Sequence, residues 1–289
     1  MKKNYLLAIA SYPDNRQDFF NTYTSKRNKE YCSYHNLEYI EITDNVLPIR
    51  GKIGWFKTFK VNEIIKDLNN GDTLTYFDAD MLIVNKEKSF LPDLNKSFAY
   101  SIDSGNTHCM GSFSLRINDW SRDLMELIID ENRYQNLINK DTLHEHKNTY
   151  SSFWEEFYDQ ASWYSLAGIK RHSDKSFWKL PNFGWHSAKD EWTKFSLDEL
   201  ERNVQIFPTN YNVTELPGES TCTYNINKIN YNNVYIRHFA GGQKWRSEWY
   251  YKKTILFHLK HINPINYIKS YKNFYYPRIK NKIKKLLRR

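Results

Sequence analysis

Three short apolar runs punctuate the start of the chain, YLLAIAS (5–11), LEYIEIT (37–43) and TLTYFD (73–78), and the stretch between each pair is long enough for a helix. Residues 17–35 carry aromatics at Phe19, Phe20, Tyr23, Tyr31 and Tyr34. Residues 54–68 (GWFKTFKVNEIIKDL) read as a second helix, stopped by Asn-Asn-Gly-Asp. This alternation constrains the fold more than any other feature. Parallel strands cannot be joined by a tight hairpin, so strands spaced by helices predict an α/β fold with a mainly parallel sheet flanked by helices. In such sheets ligands sit beyond the carboxyl ends of the strands. Two polar segments fall there: SYPDNR (11–16) and Asp78-Ala79-Asp80.

Further on, SFAYSID (97–103) and GSFSLRI (111–117) are strand-like. NDWSRDLMELIIDE (118–131) is a helix opened by an Asn/Asp cap, and SSFWEEFYDQASWYSLAG (151–168) is a Ser-capped helix ended by Gly168. PNFGWHS (181–187) and QIFPTNYNV (205–213) read as aromatic loops, and VYIRHFAGG (234–242) as a strand ending in His238 ahead of Gly241 and Gly242. With no internal repeat or linker, the pattern predicts one domain over 1–265 followed by a basic amphipathic tail over 266–289.

At 289 residues the chain is long enough to bury a large core, and aromatics form 17% of it, which suits clefts that stack on sugar or planar rings. No uncharged apolar stretch reaches the roughly 18 residues a membrane span needs. The apolar run near the start gives way at once to Pro13 and Asp14, so it reads as a first strand rather than a signal peptide. Cys32, Cys109 and Cys222 are odd in number and far apart, which offers no disulfide framework and points to a reducing cytoplasm. Asn95 and Asn212 match the Asn-x-Ser/Thr pattern, as chance allows in an Asn-rich chain.

The net charge of +9 is carried by the tail, because Lys269–Arg289 holds nine Lys/Arg and no acid. Within it Ile279, Ile283, Leu286 and Leu287 fall on one helical face among bases, after Tyr271, Phe274, Tyr275 and Tyr276. That pattern predicts peripheral attachment to an anionic membrane surface, on the cytoplasmic face. Nucleic acid is the rival polyanion, but the body lacks a basic stripe or recognition motif.

The chemistry concentrates in a few positions. Asp78 and Asp80, two apart on an extended strand, point the same way and suit a hard divalent cation, Mg²⁺ or Mn²⁺, bridging a diphosphate. A solvated polar turn is the plainer reading of Asp-x-Asp alone. Apolar residues on both sides favour the metal, since unpaired buried carboxylates are costly. His238 ends an apolar strand where a neutral imidazole can reach a metal, although a strand-end histidine also serves as a structural hydrogen-bonding group. Lys244 is placed to neutralise a leaving diphosphate, or else is an exposed lysine at a helix start.

YFDAD ending at Asp80, YDQ at 158–160 and HFAGGQKW at 238–245 together resemble the GT-A glycosyltransferases, nearest to the retaining family that includes xyloglucan xylosyltransferases and fungal α-galactosyl- and α-mannosyltransferases. The resemblance implies a GT-A, Rossmann-like fold, a UDP-sugar donor, and Mn²⁺ (or Mg²⁺) held by Asp78, Asp80 and His238, with Asp78 also able to reach the ribose. It implies that Asp159 and Gln160 lie beside the donor sugar as the catalytic pair. Ser11, Tyr12 and Arg16 would meet the uracil and ribose, and Lys57, in a Trp/Lys segment with Lys52 and Trp55, would contact phosphate. Gly242-Gln243-Lys244 departs from the family's usual Cys-then-Lys, which bears on the role of Lys244. The implied reaction moves a hexose, galactose or glucose, to a glycan or lipid-linked saccharide acceptor of lipooligosaccharide or capsule type, with retention of configuration.

Three alternatives stay open. An inverting transferase would need a carboxylate base, for which Asp159 is the candidate. A metal-dependent nucleotidyl- or phosphotransferase would share the acid pair, and a glycan-binding protein would use the aromatics without metal. His144-Glu145-His146 reads as a solvated loop. Gly105, Asn106 and His108 are candidates to line the sugar pocket, and Trp185 and His186 to floor an acceptor site.

Overall fold

The computed structural model describes residues 2–10, 15–44, 53–103, 108–133, 159–169, 193–214, 234–239 and 248–262, with single positions at 47, 49, 268, 271, 275 and 276. Strand β1 (Asn4–Ile9) leads to helix α1 (Asn15–Phe19), which runs through a π-helical turn (Phe20–Thr24) into α2 (Ser25–His35). Strand β2 (Glu38–Ile42), helix α3 (Ile53–Asp67) and strand β3 (Thr73–Asp78) follow. Next come β4 (Met81–Ile83), β5 (Phe98–Ile102), β6 (His108–Arg116) and α4 (Asp119–Ile129). The remainder comprises α5 (Asp159–Ala167), α6 (Leu197–Asn203), β7 (Val204–Phe207), β8 (Ile236–His238) and α7 (Glu248–Ile262).

Six strands form one sheet in the order β2-β1-β3-β6-β5-β7. The pairs β1/β2, β1/β3 and β5/β7 are parallel, whereas β6 runs antiparallel to both β3 and β5. The sheet is therefore mainly parallel, as the sequence predicts, with β6 as its one reversed strand among those described. Central strands β1 and β3 are almost continuously buried, the signature of a sheet covered on both faces. On one face Leu7, Ile9, Leu74, Tyr76 and Phe98 pack with Trp55, Val61 and Ile65 of α3, Leu124 and Ile128 of α4, and Trp163 of α5. On the other, Leu6, Phe77 and Ala99 meet Tyr31 and Cys32 of α2, Phe90 and Phe207. The result is three layers, helix on sheet on helix.

The local signals act as their chemistry dictates. Asn118 caps α4: its side chain accepts from the Ser121 backbone N–H at 2.9 Å, and Ser121 Oγ accepts from the Asn118 N–H at 3.0 Å. Gly168 follows α5 with φ +65°, the left-handed conformation that closes a helix at little steric cost to glycine. Of the helix predicted over 151–168, the part from Asp159 is described; 151–158 lies outside the described residues, as do the loop at 181–187 and the helical part of the tail at 277–289.

One prediction is corrected. Residues 205–213 are not simply an aromatic loop, because Gln205–Phe207 belong to β7, an edge strand pairing with β5 from Phe98↔Val204 to Ser101↔Phe207. Pro208 follows directly and removes a backbone donor, so the strand is too short for its periodicity to show. Among the described residues no helix is long and apolar enough to cross a membrane.

Phe98 lies at the centre of the larger cluster, its ring 5.1 Å from that of Trp163 and 5.4 Å from that of Tyr100. Phe98→Ala leaves a cavity where three elements meet and should cost about 3–5 kcal/mol, read as a lowered urea midpoint with unchanged slope.

Candidate active site

Strand β3 leaves the sheet at Asp78, whose backbone pairs with Ile9 at the end of β1. After Ala79 and Asp80 the chain enters β4, which pairs not with the main sheet but with β8, antiparallel, in the register Met81↔His238 and Ile83↔Ile236. The Phe239 backbone N–H donates to the Asp80 carbonyl at 2.9 Å, closing the junction. This small ladder carries His238 to the two acids. One donor atom from each of Asp78, Asp80 and His238 lies within 4.8 Å of the others, and His238 Nε2 is 3.4 Å from Asp80 Oδ1. Oxygen and nitrogen ligands hold a divalent ion at about 2.0–2.6 Å, so donors this close can meet on a single ion. Two carboxylates with one imidazole form a donor set that suits Mn²⁺ or Mg²⁺.

Two of the three candidate ligands, Asp78 and His238, are oriented from behind. The Tyr76 hydroxyl donates to Asp78 Oδ1 at 2.7 Å. On β6 the chain passes so close that a Cβ at Gly111 would lie 2.6 Å from Asp78 Oδ2, which makes glycine the residue that leaves this carboxylate room. His238 Nδ1 lies 3.0 Å from Oδ1 of Asn212, whose side chain is fully buried. An amide oxygen accepts only, so Nδ1 carries a proton and Nε2 is left as the ring nitrogen that faces Asp80. Burial alone would disfavour the imidazolium, but its hydrogen bond and charge attraction to Asp80, with Cys109 alongside, outweigh that and raise its pKa well above the usual histidine range. An incoming cation would displace this second proton.

A second charged group sits directly beneath. Lys57 of α3 reaches up between the layers, with Nζ 3.1 Å from Asp159 Oδ2, 3.5 Å from Asp78 Oδ1, and donating to the Met110 carbonyl at 2.9 Å. Burial opposes the charge on Lys57, yet Asp159 and Asp78 together hold its pKa well above the ordinary lysine value. Asp159 is pushed upward, by burial first and by the charge of Asp78, against the pull of Lys57. Two acids thus share one ammonium. Gln160 next to Asp159 accepts the Met110 N–H through Oε1 at 3.1 Å, tying the start of α5 to β6.

Asp78, Asp80, His238, Lys57, Asp159 and Gln160 are therefore neighbours, joined through contacts to one another or to Met110. Ser11, Tyr12 and Lys244 lie outside the described residues, as do Lys52, Gly105, Asn106, His144, Glu145, His146, Trp185 and His186. Arg16 falls in α1, and its side chain is outside the described set. His108 is buried on β6, its Nδ1 hydrogen-bonded to the Tyr100 hydroxyl and its backbone carbonyl accepting from Tyr164 at 2.8 Å. Trp55 is core. Sequence reasoning missed Asn212, Gly111 and Tyr76. Only Tyr76 carried a usable signal, since it lies two residues before Asp78 on one strand and faces the same way.

No family model matches the chain, and no curated protein matches it. Solved structures that resemble it include a glycosyltransferase involved in glycosylation of the major capsid of PBCV-1, at 11% identity and TM-score 0.47, covering 84% of this chain and 95% of that one. The galactosyltransferase LgtC in complex with donor and acceptor sugar analogs matches at 11% identity and TM-score 0.44, covering 88% and 95%. The catalytic domain of Drosophila β1,4-galactosyltransferase 7 with xylobiose matches at 11% identity and TM-score 0.31, over 44% of this chain and 52% of that one.

The buried amide behind His238 yields a direct test. Asn212→Ala frees Nδ1 and should weaken Mn²⁺ binding about 10- to 100-fold, counted as free ion by electron paramagnetic resonance, while thermal unfolding stays cooperative.

Proposed function

We propose that the chain is a metal-dependent glycosyltransferase that moves a hexose, galactose or glucose, from a UDP-sugar to a glycan or lipid-linked saccharide acceptor, with retention of configuration. The observation that carries this reading is the convergence of Asp78, Asp80 and His238 at the strand ends, with their donor atoms mutually within 4.8 Å. Support comes also from Lys57, Asp159 and Gln160, positions singled out by the resemblance, which meet directly behind the acids.

In this reading Asp78, Asp80 and His238 hold Mn²⁺ or Mg²⁺, which when bound offsets negative charge growing on the departing diphosphate. Lys57 sets the direction of Asp78 and Asp159 from below, so its part is positioning rather than the phosphate contact expected from sequence. Asp159 and Gln160 form the floor beside the donor sugar. Retention asks for no dedicated protein base, because the departing phosphate oxygen can take the proton of the attacking hydroxyl. Ser11, Tyr12, Arg16 and Lys244 remain proposed donor contacts. The domain is taken as 1–265, and the basic segment over 266–289 as a peripheral anchor on the inner face of the cytoplasmic membrane.

Melting curves with UDP, GDP or CMP, each with and without Mn²⁺, test the donor. UDP with Mn²⁺ should stabilise the protein by more than either alone, and Asp80→Asn should remove the effect. No shift with any metal–nucleotide pair would overturn the proposal. The anomeric proton of the product, read by nuclear magnetic resonance, decides retention against inversion.

Flotation tests the anchor. The chain should rise with vesicles containing phosphatidylglycerol but not with neutral ones, and Lys284→Glu with Lys285→Glu and Arg288→Glu should leave it at the bottom of the gradient.

A further inference from the structure

Two adjacent phenylalanines with no part in the transfer just described pack against both halves of the proposed metal centre. Phe19 ends α1 and Phe20 opens the π-helical turn, and both are buried. Neighbouring residues on a helix point well apart around its axis, so the two rings enter different surroundings. Phe20 joins Ala8, Ala10 and Ala79 in a small buried cluster. Ala79 is the residue between the two acids. Phe19 joins Leu82 of β4, Val213 and Phe239 in another cluster, with its ring 4.7 Å from that of Phe239. Phe239 follows His238 directly, and its backbone N–H donates to the Asp80 carbonyl. The turn that presents the pair is itself braced. The Ser25 backbone N–H donates to the Phe20 carbonyl, which is the hydrogen-bond span of a π-helix. Tyr23, its ring 5.3 Å from that of Phe19, stacks on Tyr251 of α7 at 4.0 Å with 18° between the planes.

We propose that Phe19 and Phe20 are positioning residues for the metal ligands, Phe20 bearing on the Asp78-Ala79-Asp80 segment and Phe19 on the strand that delivers His238. The inference rests on the metal-site reading above and deepens it by naming what sets the approach of the acids to the imidazole. The acids leave one sheet and the imidazole ends another, and the ladder between them fixes backbone register only. A wedge of two rings from a third element holds both at once. Because interiors are close-packed, a change of ring volume on either side passes to the ligand next to it rather than being absorbed. The π turn makes the double contact available, since its wider winding sets the direction in which Phe19 and Phe20 leave the axis of α2. The stack of Tyr23 on Tyr251 then ties that direction to α7.

Mn²⁺ binding, counted as free ion by electron paramagnetic resonance well below the melting temperature, tests this without an activity assay. Affinity should fall about tenfold in Phe19→Leu and in Phe20→Leu, the loss expected when the shell behind metal ligands is disturbed. Phe98→Leu, in the cluster on the opposite face of the sheet, supplies the control. It should lower the melting temperature and leave Mn²⁺ affinity unchanged, because a purely structural loss does not move the ligands. Should either leucine chain fail to fold, Tyr251→Ala loosens the same wedge from a half-buried position and should weaken Mn²⁺ in the same direction. Unchanged affinity in the wedge variants, or an equal loss in Phe98→Leu, overturns the proposal while bound Mn²⁺ keeps the metal site standing. Failure of the unaltered chain to bind Mn²⁺ removes the metal site and this inference together.

Discussion

The pairing of Met81 with His238 across the β4–β8 ladder is what makes a site out of this chain. The acids come from the end of β3 and the imidazole from a segment far along the sequence, and no element of the main sheet joins them. Three rungs of backbone pairing and the Phe239–Asp80 hydrogen bond set their separation. Because backbone hydrogen bonds impose register, a slip of one residue would turn His238 to the opposite face and dissolve the cluster. Val213 adds a further constraint: its carbonyl accepts the His238 backbone N–H at 3.0 Å, in the same turn that delivers Asn212 to the ring.

The electrostatics follow from that geometry. Asp78, Asp80 and Asp159 lie in largely buried surroundings around Lys57 and His238. Lys57 is committed to Asp159 and Asp78, and His238 to Asp80, which sets three acids against two bases in one place. The buried polar groups here are tied into a network, with Tyr76 holding Asp78, Asn212 holding His238, and the Met110 backbone holding both Lys57 and Gln160. Such networks fix orientation, at the cost of sensitivity to any lost partner.

Much of this was legible in the sequence. The β-α-β alternation predicted a mainly parallel sheet, and strands β1 and β3 fall where their apolar runs place them. Asp78, Asp80 and His238 were legible because each is a polar residue closing an apolar strand, a local pattern with a chemical meaning. Asn212 was not. It reads as a chance sequon in an aromatic stretch, and its role exists only because the turn at Thr209–Tyr211 lies under β8. Gly111 was silent for a similar reason: the need for a missing side chain arises from a neighbouring strand. Lys57 was found, but its direction was not, since periodicity places a lysine on a helix and only the packing of α3 against the sheet decides which acids it meets. Strand β7, four residues long, is too short for alternation to reveal, whereas β8 falls inside the strand read over 234–242 and ends, as expected, at His238.

The ladder between β4 and β8 also sets the order in which competence arises during synthesis. Strands β1, β2 and β3 draw only on the first third of the chain, so their pairing needs nothing made later. β4 has its partner only after residues 236–238 have left the ribosome. Until then the two aspartates lack their imidazole, and a nascent or truncated chain can be well folded at its amino end yet without the complete cluster of Asp78, Asp80 and His238. The cluster is thereby withheld until nearly all of the described body has been made.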